Sequence, residues 1–218
     1  MSAERIILFG GTFNPIHSAH VALARFAQGY LAAHKVIFIP NGNPPHKDQE
    51  DIGTPVPDRL TMCELATRSY KGFEVDSYEC EQTKTCYTIN TIRHFKEKFG
   101  PDVELFYLIG PDSLEDLRNW YEVDDLVKEC KFAVLMNEEF AKEKFSGEGE
   151  VWHEKSPWNE FPCYKEMEAV FMKSPPLKIR STLIRKMAAE GMPLEMFVPP
   201  QVASYIKANK LYDPENKD

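Results

Sequence analysis

His17 and His20 stand three positions apart in the run NPIHSAH. In the first turn of a helix such residues are neighbours, with Cβ atoms about 5–6 Å apart. Gly10-Gly11 lies just upstream, after the apolar run Ile6-Ile7-Leu8-Phe9, and Thr12 to Pro15 makes a tight turn. Strand, glycine turn and helix start together aim backbone N–H groups and the positive end of a helix dipole at an anion. Two imidazoles beside that turn suit a triphosphate. Each histidine also has an ordinary reading: His17 as a solvated first-turn residue, His20 as a satisfied histidine at the core edge. A metal pair is open to imidazoles too, but no third ligand stands at helical spacing nearby.

A second anion site reads from KIRSTLIRK, Lys178 to Lys186. Ser181-Thr182 starts a helix with a buried stripe of Ile184, Met187 and Ala188, stopped by Gly191 and Pro193. Hydroxyls and N–H groups at that start, with Arg185 one turn in, form a phosphate cradle; a capped basic helix is the plain alternative. Three smaller features join these. Lys47, in the loop NGNPPHK, brings a cation to a phosphate or is ordinary surface. Asp112, after Gly110 in LIGPDS, meets a ribose hydroxyl or amino group, or caps the turn Ser113–Arg118. Thr88 reads as an N-cap, with Thr91 at the third helical position.

The elements that must carry these groups alternate. Strand-like runs lie at Ile6–Phe9, Val36–Ile39, Phe73–Tyr78, Leu105–Ile109, Phe132–Met136 and Ala169–Met172. Helical patterns lie near 17–33, 57–70, 88–99, 122–129, 181–190 and 200–208. On the first helix Leu23, Phe26, Ala27 and Tyr30 form one face. The alternation predicts an α/β fold, a doubly wound parallel sheet with helices on both faces and a small C-terminal helical part. Ligands on such sheets bind beyond the strand C-termini, where strand order reverses. The chain reads as one domain over 1–218, with 137–167 a variable insertion and 178–212 the C-terminal part. The insertion's aromatics, Trp152, Trp158, Phe161 and Tyr164, pack on the domain or on a second copy, which leaves a homo-oligomer open. Asp213–Asp218 reads as disordered.

GGTFNPIHSAH resembles the signature of nucleotidyltransferases with a (T/H)-x-G-H motif, and the longer run is similar to the nicotinate-mononucleotide adenylyltransferase family. PPHK, Arg59 with Met62, YTINTI, GPDSLEDLRNW and RSTLIR match that family in order. The resemblance implies a Rossmann-like fold and transfer of AMP from ATP to nicotinate mononucleotide. It implies His17, His20 and Arg185 as catalytic groups. ATP falls to Gly10, Gly11, Thr12, Phe13, Gly110, Asp112, Ser181 and Thr182. The acceptor falls to Asn43, Lys47, Tyr87, Thr88 and Trp120, the last by stacking on the pyridine ring. Arg59 holds the PPHK loop or a phosphate, and the closing helix serves packing. Mg²⁺ is carried on the ATP phosphates, with no protein-bound metal. The chain departs from the family at Asn14, Ala19, Pro111 and Arg180. A nicotinamide-mononucleotide or dual-specificity enzyme, another adenylyl- or cytidylyltransferase, and a non-catalytic nucleotide-binding regulator are the alternatives.

Composition limits the partners. With 26 Lys+Arg against 34 Asp+Glu the net charge is −8, which argues against a nucleic-acid duplex. No apolar run is long enough for a membrane span. The N-terminus runs straight into a strand, without the pattern of a signal peptide. Five cysteines without a C-x-x-C pair predict a reduced, cytoplasmic protein.

Overall fold

The computed structural model describes residues 3–45, 53–136 and 162–214. Six strands form one sheet: β1 Glu4–Gly11, β2 Lys35–Pro40, β3 Phe73–Val75, β4 Val103–Ile109, β5 Lys131–Met136 and β6 Ala169–Lys173, in the order β3-β2-β1-β4-β5-β6. The order reverses between β1 and β4, as in a doubly wound Rossmann-like sheet. Pairing is parallel, with Ile6 opposite Leu105, Leu108 opposite Ala133 and Val134 opposite Phe171. Ile6, Ile7 and Leu8 are fully buried, which is why a central strand reads as unbroken apolar sequence.

Among the described residues the helices are α1 Ser18–Tyr30, α2 Val56–Thr67, α3 Thr88–Phe99, α4 Pro111–Asp116, α5 Val123–Glu129, α6 Pro162–Glu166, α7 Ser181–Ala189 and α8 Pro200–Ala208. A 3₁₀ turn, Leu117–Asn119, follows α4.

Several expectations move. α1 stops at Tyr30, short of Ala33, because Ala32 turns left-handed at φ 49°. The Ala33 and Ala32 N–H groups then close on the Gln28 and Gly29 carbonyls, a Schellman ending. Its buried face is Val21, Ala24 and Ala27, while Tyr30 is half exposed. Small residues, not the large aromatic ones, mark the side that packs. β3 ends at Val75 instead of Tyr78, because the Asp76 carboxylate takes the Tyr78 N–H at 2.9 Å, a turn of aspartate's usual kind. α2 ends at Thr67, and the Tyr70 N–H turns back to its carbonyl.

The chain packs as two compact units. The first takes Met1–Phe9, Phe26–Val36 and Tyr87–Pro176; the second takes Gly10–Arg25, Ile37–Cys86 and Leu177–Asp218. Residues 137–161 of the expected insertion lie outside the described residues. Within the first unit, Tyr164 is buried and donates its hydroxyl to Leu114 O at 2.8 Å. All five cysteines are free thiols. Among the described residues no helix is long and apolar enough to cross a membrane. Residues 215–218 of the expected disordered tail also lie outside the described residues, whereas the Asp213 N–H still reaches Lys210 O.

Candidate active site

β1 delivers the chain to Gly11, and the turn Thr12–Pro15 leads into α1. The Asn14–Pro15 peptide is cis. Phe13 holds φ 45°, a left-handed conformation that costs a bulky residue about 1–3 kcal/mol and persists only where the surroundings impose it. Its ring supplies the constraint. It lies over Gly11, where an added Cβ would stand 3.1 Å from Phe13 Cζ. It also meets His20 edge-on, with ring centres 5.1 Å apart at 89°, and leans on Phe38. Any larger residue at 11 would have to push the Phe13 ring aside by a few tenths of an ångström.

His17 immediately precedes α1 and His20 is its third residue. The His17 N–H donates to His20 Nδ1, and the His20 N–H donates to His17 Nδ1, both at 3.3 Å. The rings stack at 3.6 Å and 12°. This is the reciprocal arrangement of a capping box, with two imidazoles in place of the usual hydroxyl and carboxylate. An Nδ1 that accepts carries no proton, so each neutral ring is a donor at Nε2. Burial pulls the His17 pKa down to about 4. Burial, and then the proximity of His17, holds His20 well below its usual value. His17 is only 5% exposed, which removes the solvated reading.

The same bonds take up part of the expected anion site. Ser18 N–H is also taken, by Phe197 O at 2.9 Å. The N–H groups of His17, Ser18 and His20 are thus satisfied inside the protein. Imidazole N–H under the helix dipole is what the two histidines add at this helix start.

α7 meets the turn directly. Ser181 Oγ donates to Pro15 O at 2.9 Å, and Arg185 Nη1 donates to Asn14 O at 2.8 Å. The sequence reading put both side chains on phosphate; each has a bond to the turn that carries the histidines. Thr182 is the second residue of α7 and is exposed. Arg59, on α2, is fully buried and donates Nη1 to Thr12 O at 2.8 Å and Nε to Thr54 O at 3.4 Å. Its Nη2 has no partner among the described residues, and burial lowers its pKa. It holds the glycine turn, a role that the pattern Arg59-x-x-Met62 did not specify, while Met62 is core as expected. Tyr212 donates its hydroxyl to Asn14 Oδ1 at 2.9 Å.

The loop after β2 belongs to the same unit. The Asn41 N–H reaches Gly11 O at 2.9 Å, and Asn41 Nδ2 reaches the buried Glu79 carboxylate at 2.6 Å. The Cys86 N–H donates to Asn43 O at 2.9 Å. A Cβ on Gly42 would lie 1.8 Å from Glu79 O, so only glycine lets the two backbones approach this closely. Asn43 sits in this braced loop; Lys47 lies outside the described residues. The bracing segment 76–86 carries no motif, and a buried glutamate has no local signature.

The remaining candidates lie in the first unit. α3 begins at Thr88 with Tyr87 as its N-cap and no side-chain cap bond. Thr88 is therefore the first helical residue, not the cap. Tyr87 stacks on Tyr121 at 4.3 Å. Trp120 follows the 3₁₀ turn and meets Tyr107 edge-on at 6.1 Å. Gly110 is the N-cap of α4, which puts Asp112 in the first turn and removes its capping role. Among the described residues, apart from its chain neighbours, nothing lies within 4 Å of a Cβ built on Gly110. Among the described residues no cluster of three His, Cys, Asp or Glu is set to hold a metal ion.

Residues 8–187 match the family model described as cytidylyltransferase-like. A protein of Moorella thermoacetica named "Probable nicotinate-nucleotide adenylyltransferase" is 33% identical over 96% of this chain and 92% of its own length. One of the same name from Clostridium acetobutylicum is 35% identical over 94% of this chain and 97% of its own. The fold is similar to that of Plasmodium falciparum nicotinic acid mononucleotide adenylyltransferase complexed with NaAD. There the TM-score is 0.71 at 19% identity, over 96% of this chain and 97% of that one.

Proposed function

We infer that this chain, which belongs to the cytidylyltransferase-like family and within it to the nicotinate-nucleotide adenylyltransferases, moves AMP from ATP to nicotinate mononucleotide, giving deamido-NAD and pyrophosphate in NAD biosynthesis. The observation that carries the chemistry is the reciprocal His17–His20 pair. It fixes two neutral imidazoles with their protons on Nε2, beside a rigid turn. An oxygen of the acceptor's phosphate attacks the ATP α-phosphorus. That P–O bond forms as the bond from the α-phosphorus to the bridging oxygen breaks, and pyrophosphate leaves with the electron pair. Nothing in this exchange needs a protein nucleophile. Catalysis is positioning plus donors aimed where negative charge grows. His17 and His20 supply those donors.

Arg185, with Ser181 and Thr182 at the start of α7, is assigned to the β- and γ-phosphates. A helix start without a side-chain cap supports this. The start of α3 also lacks a side-chain cap, and with Tyr87, Thr88 and Trp120 it is assigned to the pyridine carboxylate and ring. Asn43 and Lys47 are assigned to the rest of the acceptor, and Gly110 and Asp112 to the nucleoside of ATP. Mg²⁺ arrives on the ATP phosphates as part of the substrate, and the chain acts in the cytoplasm.

Pyrophosphate release tests this, with ATP and nicotinate mononucleotide, with nicotinamide mononucleotide as acceptor, and with CTP in place of ATP. The nicotinate acceptor with ATP gives the highest kcat/KM. No release with that pair, or faster release with CTP, overturns the assignment.

A further inference from the structure

The turn before α1 is held by side chains that come from far along the chain. Arg59 takes Thr12 O, Ser181 takes Pro15 O and Arg185 takes Asn14 O. The fourth tie is the most remote of these and reaches a side chain of the turn: Tyr212 OH to Asn14 Oδ1, across 198 positions. The chain is bent sharply to make it. After α8 the Leu211 N–H folds back to Ile206 O, and both Lys210 and Tyr212 stand left-handed, at φ 49° and φ 70°. A tyrosine rarely adopts that conformation unless its surroundings enforce it. Around its hydroxyl are the Thr54 side chain, which hydrogen-bonds to it, and the charges of Arg185, Arg59 and Asp58. The two arginines are among the residues that hold the turn's carbonyls. Burial raises the phenol's pKa, so it remains a donor at working pH.

We propose that Tyr212 is a positioning residue for adenylyl transfer: by holding Asn14 Oδ1 it sets the turn that delivers His17 and His20. The C-terminal segment is then part of the working site and not only a packing element. The inference rests on the adenylyltransferase reading, and the test separates the two.

Tyr212→Phe keeps the ring and removes one oxygen. kcat falls about tenfold, the value of one well-placed hydrogen bond, while KM for nicotinate mononucleotide stays unchanged. Asn14→Ala loses a similar factor, and adding Tyr212→Phe to it loses nothing more, because the two act through one bond. A fully active Tyr212→Phe overturns the role of Tyr212, and so does a further tenfold loss in the Asn14→Ala background. A lowered melting temperature with unchanged kcat overturns it as well. Wild-type protein that releases no pyrophosphate overturns the reading of the reaction instead.

Discussion

α1 and α7 both begin beside the same turn, and they begin differently. α1 is capped from within: its His17, Ser18 and His20 N–H groups are spent on two imidazoles and on Phe197 O. α7 has Arg180 as its N-cap and makes no side-chain cap bond. A helix start is therefore not one kind of anion site. α1 offers fixed, neutral imidazole donors, suited to charge that develops during reaction. α7 offers an uncapped start and cationic side chains, suited to charge already present on a phosphate.

The contrast breaks most visibly at His20. Replacing it with alanine removes the transition-state donor proposed above, and kcat falls about 10²–10³-fold, as for loss of one oxyanion donor. It also leaves the His17 N–H without its cap partner, which costs about 1 kcal/mol and lowers the melting temperature by about 2–4 °C. Pyrophosphate release and a thermal melt read the two effects; an unchanged kcat would sink the donor role of His20, and an unchanged melting temperature its capping role.

Acid comes next. The pKa of His17 is about 4 in the folded protein against 6.5 for an ordinary histidine. Above 6.5 neither state binds the proton and stability is full. As pH falls from 6.5 towards 4, the unfolded chain takes up a proton that the folded chain refuses. Stability then drops by about 3 kcal/mol from His17 alone. Urea midpoints between pH 7 and 4 follow this loss, and His17→Gln flattens it. Equal slopes for the two proteins would contradict a buried, neutral His17.

The glycines sharpen the comparison further. Gly11→Ala presses a Cβ to 3.1 Å from the Phe13 ring, disturbs the ring's contact with His20 and lowers kcat/KM about tenfold, by analogy with modest overpacking. Gly110→Ala meets no non-neighbouring atom of the described residues within 4 Å, so its melting temperature matches wild type; a clear fall in it would show a constraint that the described fold does not display. The smallest effect is Ser181→Ala. It loses one bond to Pro15 O, and KM for ATP rises about threefold, within the usual value of a part-buried hydrogen bond. A change confined to kcat would place Ser181 with α1's chemistry instead.

Much of this was legible in the chain. Unbroken apolar runs gave the strands, because strands buried on both faces need no alternation. The glycine pair and the two histidines marked the turn and helix start from adjacent residues. What escaped depended on rotamers or on distance. Reciprocal bonding between His17 and His20 needs both rings turned inward, and spacing alone does not encode that. Arg59 stood in a recognisable pattern, yet its target is Thr12 O, 47 positions away. The grip of Glu79 on Asn41 and that of Tyr212 on Asn14 likewise join segments with no local tie. On α1, the periodic face through Leu23, Phe26, Ala27 and Tyr30 does not show that burial centres on Val21, Ala24 and Ala27, with Tyr30 half exposed.

One consequence of the paired imidazoles concerns descent. A lineage that gives up catalysis cannot simply let these histidines drift, for the first loss also unfastens the end of a helix. Survivors would have to pass through replacements that mend the fastening, such as serine at 17 with glutamate at 20. Among inactive descendants, that pairing would be the scar to look for.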